Sequence, residues 1–193
     1  MNCFLLLLTA LLVVPLAAAQ SPLNVYGQAL QPCSTDGMAL TGYTRNGACV
    51  NHRNDRGSHH ICLDIGIGSS ATTATTTTDH YHNFCTVTGQ PNWCHSHDMP
   101  CHHDPSQHTC RIQYWCVCEW AFASYLQAVG GCDAVPDLVC DAIHQQALTA
   151  YQSQMKNHQQ PKYANALACL VQRCGLSQSL LSSGRMDGGS YGL

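Results

Sequence analysis

Cysteines and histidines supply most of the side chains in this chain that could perform chemistry. Cys116 and Cys118 are separated by one residue, and on an extended strand both sulfurs would point to the same face. The two sulfurs could ligate one metal ion, act as a pair of thiols, or reach two different disulfide partners. A disulfide between them is disfavoured, because so small a ring strains the geometry of the bridge.

A wider set of cysteines and histidines could meet only through the fold. It offers the thiolate and imidazole ligands that zinc prefers, and its members are His59, Cys62, Cys116, Cys118 and His144. Neither Cys-x-x-Cys nor His-x-x-x-His spacing occurs, so such a site would require long-range convergence. In the structural alternative His59 is an ordinary loop residue, and His144 is a helix residue that is hydrogen-bonded in the interior.

A histidine-rich segment at residues 79–110 forms a second candidate metal site. Its closely spaced imidazoles are His95, His97, His102 and His103. Alternating histidines on an extended segment place their rings on one side, an arrangement suited to zinc or copper. The alternative is a solvated polar loop closed by its cysteines. No cofactor is fixed by these residues, and no catalytic residue or cofactor-binding motif can be named.

The N-terminus predicts export and therefore disulfide formation. Residues 1–19 combine a short apolar run with a small-residue end, the pattern of a cleaved signal peptide. Removal of Cys3 with this peptide leaves an odd number of cysteines, most of which should pair in an oxidising compartment. The disulfide candidates are Cys33, Cys49, Cys62, Cys85, Cys94, Cys101, Cys110, Cys116, Cys118, Cys132, Cys140, Cys169 and Cys174. At least one thiol is then free, bound to a metal, or engaged in a disulfide-linked dimer.

Composition excludes two classes of protein. Only 10% of the 193 residues are charged and the net charge is −3, which is unlike the basic footprint of a nucleic-acid-binding protein. The apolar run at the N-terminus is shorter than the roughly 20 residues needed to cross a bilayer, and no other stretch approaches that length. We therefore expect no partner nucleic acid and no membrane span once the signal peptide is removed.

The elements that must position these residues fall into two halves. Residues 20–158 are expected to form a small disulfide-stapled α+β domain, irregular with two or three short strands in its N-terminal half. Two to three helices are predicted in the C-terminal half, near residues 120–129, from Pro136 onward, and at 163–173. The last of these belongs to a helical extension at 159–181, and residues 182–193 read as a Gly/Ser-rich tail.

Several short blocks, read in order, carry a family resemblance. They are Cys33-Ser34-Thr35-Asp36, Thr41-Gly42-Tyr43 with Arg45, Gly47 and Cys49, Gly57-Ser58-His59 with Cys62, Trp115-Cys116-Val117-Cys118 with Phe122, and Ala142-Ile143-His144 with Ala147-Leu148. Together they resemble a bacterial family catalogued as domain of unknown function 2237, over roughly residues 24–151. The resemblance implies an α+β fold and supplies no mechanism. The chain departs from the family at Ala48, where a second cysteine is usual, and throughout residues 79–110.

Two classes of function fit these observations. The first, which we expect, is a secreted, non-enzymatic protein of an extracellular matrix or secretion, with metal binding through histidines and extracellular partners. The second is a metal- or thiol-dependent enzyme with a Cys/His site. The residues lean against an enzyme, because no Gly-x-Ser-x-Gly elbow, His-Glu-x-x-His helix or phosphate-binding glycine loop occurs.

Overall fold

In the part of the chain that the structure describes, a two-stranded sheet and three long helices form the main framework. The computed structural model describes residues 21–65, 83–91, 93–95, 99–102, 109–158 and 160–182. Strand β1 (Ile61–Asp64) pairs antiparallel with β2 (Tyr114–Val117), and Cys62 lies directly opposite Cys116. The described part of the chain is thus an α+β domain, as predicted, although residues 24–62 contribute only the start of one strand. The predicted signal peptide lies outside the described residues.

The helices follow the sheet in chain order. The short α1 (Phe84–Val87) precedes β2, and α2 (Glu119–Ala128), α3 (Gln146–His158), α4 (Pro161–Arg173) and the short α5 (Ser179–Ser182) come after it. Single 3-10 turns occupy Trp93–His95, Cys132–Ala134 and Cys140–Ala142. Within the described residues, no helix is long and apolar enough to span a membrane.

Local sequence explains where the long helices begin and end. Helix α4 begins with Pro161, whose fixed φ suits the first helical position and whose missing N–H would have no partner there. It ends before Gly175, which adopts the left-handed conformation at φ +62°. Helix α4 packs against both α2 and α3 and buries Leu167 and Leu170 completely. The predicted C-terminal extension therefore begins with a helix that closes the core.

The helix predicted from Pro136 onward begins ten residues later, at Gln146, and this expectation was wrong. The intervening backbone forms only a single 3-10 turn at Cys140–Ala142 and otherwise bonds to other segments of the chain. The N–H of Val139 donates to the Cys62 carbonyl at 3.2 Å, and the N–H of His144 donates to the His60 carbonyl at 3.0 Å. Pairing along the edge of β1 satisfies these groups and leaves the helical periodicity of the segment without effect.

Six disulfides tie these elements together, and they account for twelve of the thirteen candidate cysteines. The pairs are Cys33–Cys62, Cys49–Cys116, Cys85–Cys94, Cys101–Cys110, Cys132–Cys169 and Cys140–Cys174. The last two fasten α4 to the segment between α2 and α3. The only free thiol among the described residues is that of Cys118, so the odd cysteine of the sequence is now assigned.

Candidate functional site

The free thiol lies at the junction of a strand and a helix. Cys118 directly follows β2 and occupies the N-cap position of α2, where its side chain makes no capping hydrogen bond. The N–H of Glu119 donates to the carbonyl of Ser58 at 3.1 Å, which holds this junction against the loop that precedes β1. The thiol is half-buried, and its position is therefore fixed by two regular elements and one loop.

The loop brings an imidazole and a carboxylate to the thiol. The Sγ atom of Cys118 lies 3.2 Å from Nε2 of His59. The other ring nitrogen, Nδ1, lies 2.7 Å from Oδ1 of Asp55. Because an ionised carboxylate only accepts hydrogen bonds, Nδ1 carries the ring proton and Nε2 is left to accept the proton of the thiol. Cysteine, histidine and aspartate thus form one directed hydrogen-bonded chain.

The carboxylate that orients the imidazole is itself held by the backbone. Its Oδ2 accepts the N–H of His59 at 2.8 Å, and its Oδ1 accepts the N–H of Gly57 at 3.0 Å. Burial alone would raise the pKa of Asp55, but these bonds and the His59 ring outweigh burial and hold the pKa below its usual range. The side chain of Asp55 is only 1% exposed and stays ionised near neutral pH.

The loop reaches this geometry through an unusual backbone conformation. Ser58 adopts φ +51°, a left-handed conformation that few non-glycine residues take. Its own N–H donates to the Asp55 carbonyl at 3.2 Å, which closes the turn between the carboxylate and the imidazole. Backbone strain of this kind is frequent at functional sites, where the surrounding structure holds it in place.

Electrostatics keep the thiol protonated at rest. Burial raises the pKa of Cys118 to about 11, and the charges of Asp55 and Glu119 act in the same direction. The resting state of Cys118 is therefore a neutral thiol, 3.2 Å from Nε2 of His59. Such a thiol needs a base at the moment of reaction, and His59 is the base within reach.

A second buried histidine–carboxylate pair lies behind the first. Nδ1 of His60 lies 2.6 Å from Oε1 of Glu119, and both residues are buried. Burial raises the pKa of Glu119, although the contact with His60 opposes that rise. The ring of His60 stacks on that of His144 with centroids 5.1 Å apart. His144 thus lies in the interior, as the structural alternative held, although it precedes α3 by two residues.

The predicted Cys/His set is only partly brought together. His59 and Cys118 are in contact, whereas Cys62 and Cys116 are bonded to Cys33 and Cys49. The sulfurs of Cys33, Cys49 and Cys116 lie within 4.8 Å of one another. In the disulfide form none of these sulfurs is a thiolate, and a thiolate is what binds a metal.

The histidine-rich segment is described only in part. His102 lies 3.4 Å from the carboxylate of Asp36, measured from Nδ1 to Oδ1. His95 ends a 3-10 turn. His97 and His103 lie outside the described residues, and metal binding by this segment stays a prediction.

Sequence reasoning missed Asp55, His60 and Glu119. A signal for the first was available, since Asp55 precedes His59 by four residues across a Gly-Ser turn. No local pattern marks the others, because His60 and Glu119 are 59 residues apart.

Comparison with known protein families shows which family this chain belongs to. A model of the family described as "Uncharacterized protein conserved in bacteria (DUF2237)" matches residues 23–159. The chain belongs to this family, and the resemblance inferred from its sequence blocks is confirmed. The match ends before α4. A search of curated protein sequences finds no match to the chain.

Gly57 leaves no room for a side chain beside the Cys118–His59 contact, and a substitution there tests the thiol–imidazole geometry. A Cβ atom at Gly57 would lie 2.5 Å from Cε1 of His59 and 2.9 Å from Sγ of Cys118. We expect Gly57→Ala to push the two side chains apart and to slow alkylation of Cys118 by about 100-fold. The control is Gly37→Ala, whose Cβ would meet nothing within 4 Å but whose φ is +80°. The control should lower stability and keep the alkylation rate; equal rates in both variants would contradict the geometry.

Proposed function

We propose that this protein is a cysteine-dependent acyl-transferring or hydrolytic enzyme, with Cys118 as nucleophile, His59 as general base and Asp55 as the residue that orients the base. The observation that carries the proposal is the directed chain from Cys118 through His59 to Asp55, with contacts of 3.2 and 2.7 Å. Nucleophile, base and orienting group in hydrogen-bond reach are the signature of covalent catalysis.

The chemistry that this chain of residues supports is acyl transfer through a thioester. Sγ of Cys118 attacks the carbonyl carbon of the substrate and forms the S–C bond, while its proton moves to Nε2 of His59. The bond to the leaving group then breaks, and the leaving group takes that proton. Water then attacks the thioester carbonyl and gives a proton to Nε2 of His59; the S–C bond breaks, the acid leaves, and the proton passes from His59 to Sγ to restore the thiol.

Helix α2 supports the same reaction from the other side of the thiol. The N–H groups in the first turn of a helix have no carbonyl to bond within the helix, and here they belong to Glu119, Trp120 and Ala121. The N–H of Glu119 already donates to the carbonyl of Ser58. The N–H groups of Trp120 and Ala121 remain, and they follow Cys118 closely in sequence. Donors of this kind stabilise the negative charge that develops on the carbonyl oxygen during attack.

We further propose that the enzyme is secreted. The support is the signal-peptide pattern at residues 1–19 together with six disulfides, which persist in oxidising compartments. The disulfides also suit the non-enzymatic matrix protein expected from composition. That role does not explain why a thiol outside the disulfides is hydrogen-bonded to an oriented imidazole, and the enzymatic proposal therefore takes precedence.

The experiment is a burst assay on the chain purified from a secreting host. A small activated ester, p-nitrophenyl acetate, should release one p-nitrophenolate per molecule in a fast phase, and intact mass should show one acetyl group on Cys118. The Cys118→Ala variant should show neither. Identical traces from the two proteins, with Cys118 titrating as a free thiol after unfolding, would overturn the proposal.

A further inference from the structure

A small cavity begins next to the residues that hold the thiol. Its volume is about 130 Å³, and Gly57 and Glu119 in its wall are the neighbours of the Cys118–His59 contact. Arg56 also lines the cavity, and Gln154 and Tyr163 line it from α3 and α4. The cavity and the thiol thus share one loop and one helix start.

The charges of the cavity favour an anion. Arg56 is the cation of the lining and makes no ion pair among the described residues. Glu119 is the acidic residue of the lining, but its carboxylate is bound to His60 at 2.6 Å and is 11% exposed. The amide of Gln154 and the hydroxyl of Tyr163 add hydrogen-bond donors. A guanidinium with neutral donors nearby is the combination that binds a carboxylate, because the planar fork of arginine matches its two oxygens.

The volume limits the group that could enter. An engineered cavity of about 150 Å³ in another protein accommodates benzene. At about 130 Å³ this cavity has room for a carboxylate with a few carbon atoms. Trp120 is 51% exposed beside it and would cover the apolar part of such a group.

We propose that this cavity binds the free carboxylate of the substrate, so that the enzyme acts on small acyl compounds that carry a second, unreacted carboxylate. The inference rests on the proposed function, since it places the reacting carbonyl at Cys118. Arg56 is assigned as the residue that determines specificity, and it takes no part in bond making.

Alkylating agents of matched size test the inference without a known substrate. Iodoacetate, 3-iodopropionate and 4-iodobutyrate are each compared with the corresponding amide in reaction with Cys118. In each reaction the S–C bond forms, iodide leaves, and the thiol proton passes to His59. At one chain length at least, the ratio of the carboxylate rate to the amide rate should fall about five-fold in Arg56→Gln. The ratio cancels differences in thiol reactivity between proteins.

Arg53→Gln is the matched control, because it removes an exposed arginine of the same loop that does not line the cavity. Its ratios should equal those of the parent. Unchanged ratios in Arg56→Gln at all three lengths would overturn the carboxylate site and leave the proposed function standing. Amide rates that do not change in His59→Ala would instead overturn the proposed function, and the two failures are therefore distinguishable.

Discussion

Replacing His59 by alanine should slow the reaction of Cys118 with iodoacetamide at neutral pH by about 10²- to 10⁴-fold. The reason is the environment of the thiol, whose pKa burial raises to about 11. At pH 7 only about one molecule in 10⁴ then holds a thiolate without help. A base that takes the proton during attack removes that restriction, and Nε2 of His59 is 3.2 Å away.

Asp55→Asn tests the role of the carboxylate in the same reaction. An amide in this position can donate to Nδ1, which would shift the ring proton to Nε2 and turn the base into a donor toward the thiol. We expect a loss of rate that approaches that of His59→Ala, because the wrong tautomer cannot accept the proton. The measurement is a second-order rate constant from intact mass against time.

The control for both variants is His52→Ala. His52 and His59 both stack on Tyr43, with centroid separations of 5.2 and 6.2 Å, but His52 lies outside the hydrogen-bonded chain to the thiol. Its removal should leave the rate near that of the parent. If His59→Ala, correctly folded by circular dichroism, reacts as fast as the parent, the thiol is simply an exposed nucleophile and His59 is not its base.

The sequence predicted the fold where local signals and packing agree. Helix α2 was expected at residues 120–129 because alanines and aromatic residues precede a Gly-Gly stop, and it spans Glu119–Ala128. The prediction of a helix from Pro136 was wrong, because the segment could either form a helix or pair with the free edge of β1. The segment instead pairs with the backbone of Cys62 and His60. That outcome depends on contacts between residues far apart in sequence, which local propensity does not reveal.

The site was half predictable for a similar reason. The sequence marks His59 and Cys118 as candidates, but their partners depend on which of thirteen cysteines remains free. Pairing of Cys116 with Cys49 removes one sulfur of the Cys-x-Cys pair from chemistry and leaves the other. Connectivity follows from three-dimensional proximity, so neither spacing nor count could separate Cys116 from Cys118.

The second large effect concerns acid stability and depends on His144. This residue is 8% exposed, and burial lowers its pKa to about 4, with repulsion from His60 adding to the effect. Its Nδ1 accepts the N–H of Gln146 at 3.0 Å, a contact that a proton on that nitrogen would break. In the unfolded chain the imidazole has an ordinary pKa near 6.5.

The sign of the pH dependence follows from these two values. Between pH 6.5 and 4 the unfolded chain binds a proton that the folded chain does not, so the free energy of unfolding falls as the pH falls. The full window corresponds to about 3 kcal/mol, and the part between pH 6.5 and 5 to about 2 kcal/mol. Glu119 acts in the opposite direction, because burial raises its pKa in the folded state. The contribution of Asp55 to the free energy of unfolding is lost only when the pH falls below the ordinary pKa of an aspartate, since its pKa in the folded state is lowered.

Denaturant unfolding at pH 7, 6 and 5 should therefore show a loss of about 2 kcal/mol in the parent that is largely absent in His144→Gln. Glutamine keeps an acceptor for the N–H of Gln146 but has no group that titrates in this window, and the variant should be the less stable protein at pH 7 and the less acid-sensitive one.

His52→Gln removes a histidine from the loop and should retain the slope of the parent. Parallel losses in the parent and in His144→Gln would show that the acid sensitivity originates elsewhere. A steep loss confined to the parent would mean that the buried imidazole pair beside Glu119 limits the pH range in which the Cys118 site can remain assembled.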